Sequence, residues 1–212
     1  MKKWCSTYWL YITYSMGVIA LLVFVKNWNV WNEGEKLLAL MAILLPIHVA
    51  EEWKLPGGFH YAYNLLRKSD SPNCYPMNQL TDMLTNFMGE IFFFILIGIG
   101  SNTGIILAMA CFCYIETIGH TILSAVISRQ FKHNGKRIIY TPGLFTAYCG
   151  FLIVGIIMTV YLVQTNVQPK DIGIAIGILL IMIVGMICIP ENMLKSKETK
   201  YPFPSSRYFK KF

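Results

Sequence analysis

Acidic and histidine side chains occur at helical spacing inside apolar segments of the chain. The stretch HVAEE places His48, Glu51 and Glu52 at positions i, i+3 and i+4, and Glu116 and His120 are again four residues apart. Residues with these spacings share one face of an α-helix. An ionisable group within an apolar helix is costly and marks a functional candidate. We therefore expect these side chains to meet at one site.

A third apolar segment carries a polar stripe in which Asp82, Asn86 and Glu90 repeat every four residues. We expect Asp82 to be a helix-start charge in the headgroup region. At a rise of about 1.5 Å per residue, Glu90 and the two histidine clusters lie roughly 8 to 18 Å inside the same side of the membrane. Tyr140 lies at the start of the fifth apolar segment, on that same side. Matched depth would allow all these groups to cooperate.

Two imidazoles with several carboxylates form a ligand set that suits Zn²⁺, Fe or Mn²⁺. The inventory resembles that of helical di-iron proteins, although the order of residues in HVAEE is reversed. A single Zn²⁺ ion held by His48, His120 and one of Glu51 and Glu52 requires fewer residues to be correctly placed than a di-iron site does. The sequence thus predicts a divalent-metal site with these ligands: His48, Glu51, His120 and Glu116.

A metal ion held in this way would activate water for hydrolysis. In that scheme Glu52 or Glu90 is the general base, and Tyr140 stabilises developing negative charge. The depth of the cluster within the helices favours a lipid or another membrane-resident substrate. The sequence therefore predicts a metal-dependent membrane hydrolase.

Three other interpretations remain open. In the first, the pairing of Glu51 and Glu52 raises their pKa values, and one of them acts without metal as a base on a prenylated peptide or sterol-like substrate. In the second, the cluster is the ion site of a small transporter or accessory subunit, although the apolar run Ile91–Gly100 offers no second access route. In the third, His48, Glu90 and His120 belong to a purely structural polar network.

The composition indicates that the helices carrying these ionisable residues lie in a membrane. Of the 212 residues, 55% are hydrophobic and 14% are charged, which does not suit a soluble surface. Long apolar runs can each cross ~30 Å of hydrocarbon as a helix. We predict an all-α, polytopic bundle with about six transmembrane helices. The expected spans are Trp9–Val25, Lys36–Trp53, Leu80–Gly100, Thr103–Ser128, Gly143–Gln164 and Ile172–Pro190.

The distribution of basic residues predicts the orientation of the bundle. The net charge is +7, and 15 of the 18 Lys and Arg residues flank the same side of the six spans. By the positive-inside rule both termini are cytoplasmic, as in a multi-pass protein of the cell membrane or bacterial inner membrane. We expect the basic loop at 129–137 to contact anionic lipid headgroups, and we expect no nucleic-acid partner.

The segments outside the spans carry weaker signals. We expect one bundle domain over residues 1–190 and a basic cytoplasmic tail over 191–212 that is disordered or lies on the leaflet. Residues 59–68 suit an interfacial helix. We expect His60 and His133 to be solvated loop residues. The six cysteines show no disulfide or metal spacing.

Three motifs occur in a fixed order along the chain: HVAEE at 48–52, a second histidine at His120, and YTPG at 140–143. In these motifs the sequence resembles the bacterial HXXEE domain family of membrane proteins, which has HxxEE, a further histidine and YxPG. The resemblance supplies no substrate. It implies that one site contains these residues: His48, Glu51, Glu52, His120 and Tyr140.

Overall fold

The computed structural model describes all 212 residues and contains helices but no strands. Short π-helical turns continue the longer helices without a break. The helices are α1 (Trp4–Lys26), α2 (Glu33–Trp53), α3 (Phe59–Leu66), α4 (Gln79–Ile99), α5 (Thr103–Gln130), α6 (Leu144–Gln164) and α7 (Pro169–Leu194).

The predicted all-α bundle is confirmed. Five of the helices, α1, α4, α5, α6 and α7, are long and apolar enough to cross a membrane. Helix α2 has 21 residues, which corresponds to roughly 32 Å, but it carries charged residues at both ends. A sixth crossing by α2 and the cytoplasmic position of both termini stay predictions.

Asparagine caps set the starts of three helices that carry the polar residues. The side-chain oxygen of Asn32 accepts a hydrogen bond from the backbone N–H of Glu35 at 3.0 Å. The backbone N–H of Asn32 donates to the Glu35 carboxylate at 2.9 Å. Asn78 and Asn102 cap α4 and α5 in the same manner, with their side-chain oxygens accepting from backbone amides. Such caps satisfy the free N–H groups of the first turn and fix where each helix begins.

Helix α2 lies at the centre of the bundle, where it packs against α1, α4, α5 and α6. Gly17 of α1 lies directly against the Pro46 ring, so the two helices approach closely. Large apolar side chains from the surrounding helices, including Trp9, Met109 and Phe151, are fully buried. The charged end of α2 is therefore enclosed by protein rather than by lipid.

The carboxyl-terminal tail packs on the bundle, and the expectation that it is disordered is wrong. Phe203, Tyr208 and Phe209 are buried, and residues Arg207–Lys211 form a 3₁₀ turn. Their aromatic rings find apolar partners on α3, on α5 and in the loop after α5. Packing of these rings against the bundle removes apolar surface from water and so stabilises the docked tail.

The expectation that His60 is solvated is also wrong. Its ring stacks on Phe203 of the tail with centroids 3.6 Å apart and is 4% exposed. Burial lowers the pKa of His60 to about 3. His133 is exposed, as predicted. In the basic loop Lys136 is buried and donates hydrogen bonds to the Ile138 carbonyl and the Tyr208 hydroxyl. Contact of this loop with lipid headgroups stays a prediction.

Candidate functional site

The structure brings the two histidine clusters together in the interior of the bundle. The His48 ring of α2 and the His120 ring of α5 lie 4.8 Å apart, centroid to centroid, and are perpendicular. Both rings are 3% exposed. One ligand atom each from His48, Glu116 and His120 lies within 4.8 Å of the others. The helical spacing and matched depth seen in the sequence therefore do place these three residues at one point.

Glu52 lies between the two imidazoles. Its Oε1 atom is 3.4 Å from Nε2 of His48 and 3.4 Å from Nε2 of His120. Oε2 of Glu116 is 3.7 Å from the same His120 nitrogen. These separations are longer than the 2.7 to 3.2 Å of ordinary N–H···O hydrogen bonds. The four side chains converge without forming hydrogen bonds to each other.

Glu51 points away from this centre and towards the start of α6. Its carboxylate accepts hydrogen bonds from the Tyr140 hydroxyl at 2.9 Å, the Phe145 amide at 3.1 Å and the Thr146 amide at 2.8 Å, and from the Thr146 hydroxyl. A helix amino terminus favours a carboxylate because its N–H groups are free and its dipole is positive. Glu51 thus fastens the YTPG loop and α6 to the end of α2.

Tyr140 is fully engaged by this arrangement. Burial, and after it the adjacent Glu51 carboxylate, raises the pKa of Tyr140 well above its ordinary value. The phenol therefore stays a neutral hydrogen-bond donor to Glu51. It does not point into the space beside the histidines, where the sequence analysis expected it to stabilise negative charge.

Thr146 connects Glu51 to His48 and was not identified from the sequence. Its hydroxyl lies 2.6 Å from Nδ1 of His48 and also contacts the Glu51 carboxylate. An ionised carboxylate can only accept, so the hydroxyl proton goes to Glu51 and the hydroxyl oxygen accepts from Nδ1–H of His48. In the neutral imidazole this would leave the lone pair on Nε2, the nitrogen that faces Glu52. The only signal in the sequence was a threonine three residues after the YTPG glycine.

The structure explains why the last position of YTPG, Gly143, is a glycine. Its φ angle is +94°, and a Cβ atom built on it would lie 2.1 Å from Cε1 of His120. Only glycine combines this backbone conformation with so close an approach. Phe59 of α3 packs on the same imidazole at 5.1 Å. The His120 ring is thus held by packing, while its Nδ1 atom is buried without a hydrogen-bond partner.

The polar stripe of α4 divides between two environments. Asp82 lies in the first turn of α4, as expected of a helix-start charge, but its side chain is 3% exposed and accepts a hydrogen bond from the Asn86 amide at 2.7 Å. Helix α4 packs against α2, which turns this carboxyl inwards. Glu90 is fully buried, but neither of its oxygens has a hydrogen-bond partner and it lies outside the histidine cluster.

A cavity of about 200 Å³ adjoins the cluster. His48, Glu52 and Glu116 form part of its wall, and Asp82 and Asn86 of α4 form another part. Phenylalanine and methionine side chains make up much of the remaining surface. Glu51, Glu90 and Tyr140 do not line the cavity. Only some of the expected site residues could therefore contact a molecule bound there.

Comparison with known proteins identifies the chain by the same residues. The family model described as "Protein of unknown function with HXXEE motif" matches residues 37–158, which is more than half of the chain. This range includes both histidine clusters and the YTPG loop. No curated protein and no solved structure matches the chain. The chain therefore belongs to the HXXEE family, as its three motifs predicted.

Proposed function

We propose that this chain is a multi-pass enzyme of the cell membrane in which a divalent cation, bound between α2 and α5, activates water for hydrolysis. His48, Glu52 and His120 are the ligands, and Glu116 is the general base. Compared with the sequence prediction, Glu52 takes the ligand position given to Glu51, and Glu116 takes the role of base.

The observation that carries this proposal is the pair of 3.4 Å separations between Oε1 of Glu52 and the two Nε2 atoms. Metal bonds of 2.0 to 2.1 Å in a tetrahedral site place neighbouring ligand atoms roughly 3.3 to 3.4 Å apart. Direct hydrogen bonds would draw the atoms closer. The spacing therefore fits ligands around a cation better than it fits a hydrogen-bonded triad.

The ligand set also favours hydrolytic chemistry. Two histidines and one glutamate leave a fourth tetrahedral position for water, and a metal ion at such a site lowers the pKa of that water. Glu116 lines the cavity and its side chain is 24% exposed, so it can meet both water and substrate. It would take a proton from the water and return one to the leaving group.

The hydrogen bonds around His48 support the same proposal. Metal-bound histidines usually donate their second N–H group to an oxygen that fixes the ring, and loss of that oxygen lowers metal affinity about 10- to 100-fold. Thr146 is such an oxygen for His48, and Glu51 orients Thr146. In this scheme Glu51 is a positioning residue that acts through Thr146.

Metal analysis tests the ligand assignment. Wild-type protein purified without chelators and supplied with Zn²⁺, Fe²⁺ or Mn²⁺ should hold one ion per chain, and His48→Ala, His120→Ala and Glu52→Gln should each lose it. Glu116→Gln should keep the ion. Glu90→Gln is a matched control, because Glu90 is a buried carboxyl outside the cluster. Wild-type protein that takes up none of the three metals would refute the proposal in favour of metal-free acid–base catalysis.

Hydrolysis can be tested with 4-nitrophenyl acetate, a small uncharged ester. Metal-loaded wild type should release 4-nitrophenol faster than the His48→Ala/His120→Ala double variant. Glu116→Gln should bind metal and yet lose at least tenfold in rate, as expected for a missing general base. Equal rates for Glu116→Gln and wild type would exclude Glu116 as the base.

A further inference from the structure

The cavity beside the proposed metal centre is lined by acidic but not by basic side chains. Glu52, Asp82, Glu116 and Glu191 all form part of its wall, whereas no lysine or arginine does. A carboxylate removed from water is unfavourable unless a cation or several hydrogen bonds compensate it. Each of the four should therefore either be compensated by a partner or be protonated.

Three of the four either have a partner in the structure or belong to the proposed metal centre. Glu191 accepts a hydrogen bond from the Tyr63 hydroxyl at 2.7 Å and lies 3.4 Å from the Arg67 guanidinium. Glu52 and Glu116 lie beside the two imidazoles, where a bound divalent cation would balance both charges. Their compensation belongs to the proposed metal centre.

Asp82 is the exception. It is 3% exposed, forms no ion pair, and its side chain accepts one hydrogen bond, from the neutral amide of Asn86. Because the chain supplies no cation for this carboxyl, a positive charge in the cavity in front of it would be stabilised. A buried carboxyl that no cation of the protein balances can serve as the counter-charge of a bound ligand.

The rest of the wall suits the apolar body of such a ligand. Phe93, Phe112 and Phe151 line the cavity together with Met182 and Met186. Aromatic faces attract organic cations, and ammonium ligands are commonly bound in this way. A cavity of 150 Å³ can hold benzene, so one of about 200 Å³ can hold a somewhat larger group but not a diacyl lipid.

We propose that this cavity binds a small organic cation, an ammonium group on an apolar body, and that Asp82 is its counter-charge. Placed here, the molecule would lie between Asp82 of α4 and the centre formed by His48 and Glu52. That the bound cation is the substrate rests on the proposed function. The substrate class is then a cationic ester or amide, whereas molecules with anionic headgroups are repelled.

Binding of radiolabelled benzyltrimethylammonium tests the inference on full-length protein in nanodiscs of zwitterionic phosphatidylcholine, which does not itself concentrate cations. The competitors are unlabelled cation, neopentylbenzene, in which carbon replaces the charged nitrogen, and phenylacetate. The cation should compete at least tenfold more strongly than the neutral isostere, and phenylacetate should not compete. Equal competition by the cation and its isostere would overturn the inference without any variant.

Asp82→Asn should weaken cation binding at least tenfold and leave binding of the neutral isostere unchanged. Glu90→Gln is the control on the same helix, because Glu90 is buried but does not line the cavity. An equal loss in both variants would overturn the role of Asp82. Metal content, measured on the same samples, reports separately on the proposed function: Asp82-dependent cation binding to protein that takes up no metal would leave the cavity assignment standing and refute the metalloenzyme.

Discussion

Replacement of Gly143 by alanine should displace His120 and destabilise the fold. The new Cβ atom would lie 2.1 Å from Cε1 of the imidazole at a φ angle of +94°. A side chain in this backbone region costs about 1 to 2 kcal/mol. Overpacking against a buried ring adds about 1 to 3 kcal/mol. We therefore expect Gly143→Ala to lower the free energy of unfolding by about 2 to 5 kcal/mol.

The effect on metal binding should be larger than the effect on stability. To restore a carbon–carbon contact of about 3.5 Å, the ring or the loop must move by about 1.4 Å. Metal–ligand distances tolerate only about 0.2 Å. Gly143→Ala protein that remains folded should therefore fail to retain a cation, as measured by metal content after purification in detergent.

Gly135 provides the matched control in the same loop. Its φ angle is +89°, but a Cβ atom there meets nothing within 4 Å. Gly135→Ala should thus show the backbone strain alone, about 1 to 2 kcal/mol, and should keep its metal. The difference between the two variants in chemical denaturation isolates the contact with His120.

A double-mutant cycle completes this test. In a His120→Ala background the added methyl group meets no ring, so Gly143→Ala should cost about 1 to 3 kcal/mol less than in the wild type. If Gly143→Ala is as mild as Gly135→Ala, or equally harmful with and without the imidazole, the close packing of YTPG on His120 is refuted.

Three further predictions concern the surroundings of the site and the orientation of the chain. Thr146→Val removes the oxygen that fixes His48 and should weaken Zn²⁺ binding about 10- to 100-fold in a chelator competition, whereas Thr146→Ser should not. Burial beneath the tail lowers the pKa of His60 to about 3, so His60 takes up a proton more readily when the tail is detached. Docking of the tail should therefore weaken by about 1.4 kcal/mol per pH unit below about pH 6.5. Limited proteolysis of residues 201–212 at pH 7 and pH 5, compared with the free peptide, measures this, and His60→Phe should abolish the difference. A fluorescent protein fused after Phe212 should fold in the cytoplasm, and alkaline phosphatase inserted at 165–168 should be active outside; the reverse pattern contradicts the charge-based topology.

The meeting of His48 with His120 could be predicted because helical geometry determines it. A spacing of three or four residues fixes the face of each helix, and a constant rise fixes the depth. Neither quantity depends on how the helices are arranged. The apolar runs likewise sufficed to predict an all-helical bundle, with helix ends within a few residues of those observed.

Rotation about the helix axis could not be predicted in the same way. Steps of four residues advance by about 400°, so Glu90 is rotated by about 80° from Asp82 although both belong to one stripe. The packing of α4 against α2 turns Asp82 into the cavity and leaves Glu90 outside the cluster. Depth alone therefore grouped Glu90 with residues that it does not meet.

The position of the tail depends on tertiary contacts that have no sequence period. The segment YPFPSSRYFKKF has neither helical nor strand periodicity, and its prolines and positive charges favoured disorder. Its aromatic rings nevertheless complete a small apolar cluster with α3 and α5. The burial of His60 depends on the same docking, so both expectations were wrong for one reason.

The spacing within HxxEE gives its two glutamates different tasks. At about 100° per residue, Glu51 and Glu52 leave the helix about 60° and 40° to either side of His48. Glu52 then faces His120 on α5, and Glu51 faces the start of α6. His48 contacts both groups, directly through Nε2 and by way of Thr146 through Nδ1. Movement of the YTPG loop would therefore shift the imidazole of His48, which adjoins the proposed metal. Glu51 should accordingly influence metal affinity without being a ligand.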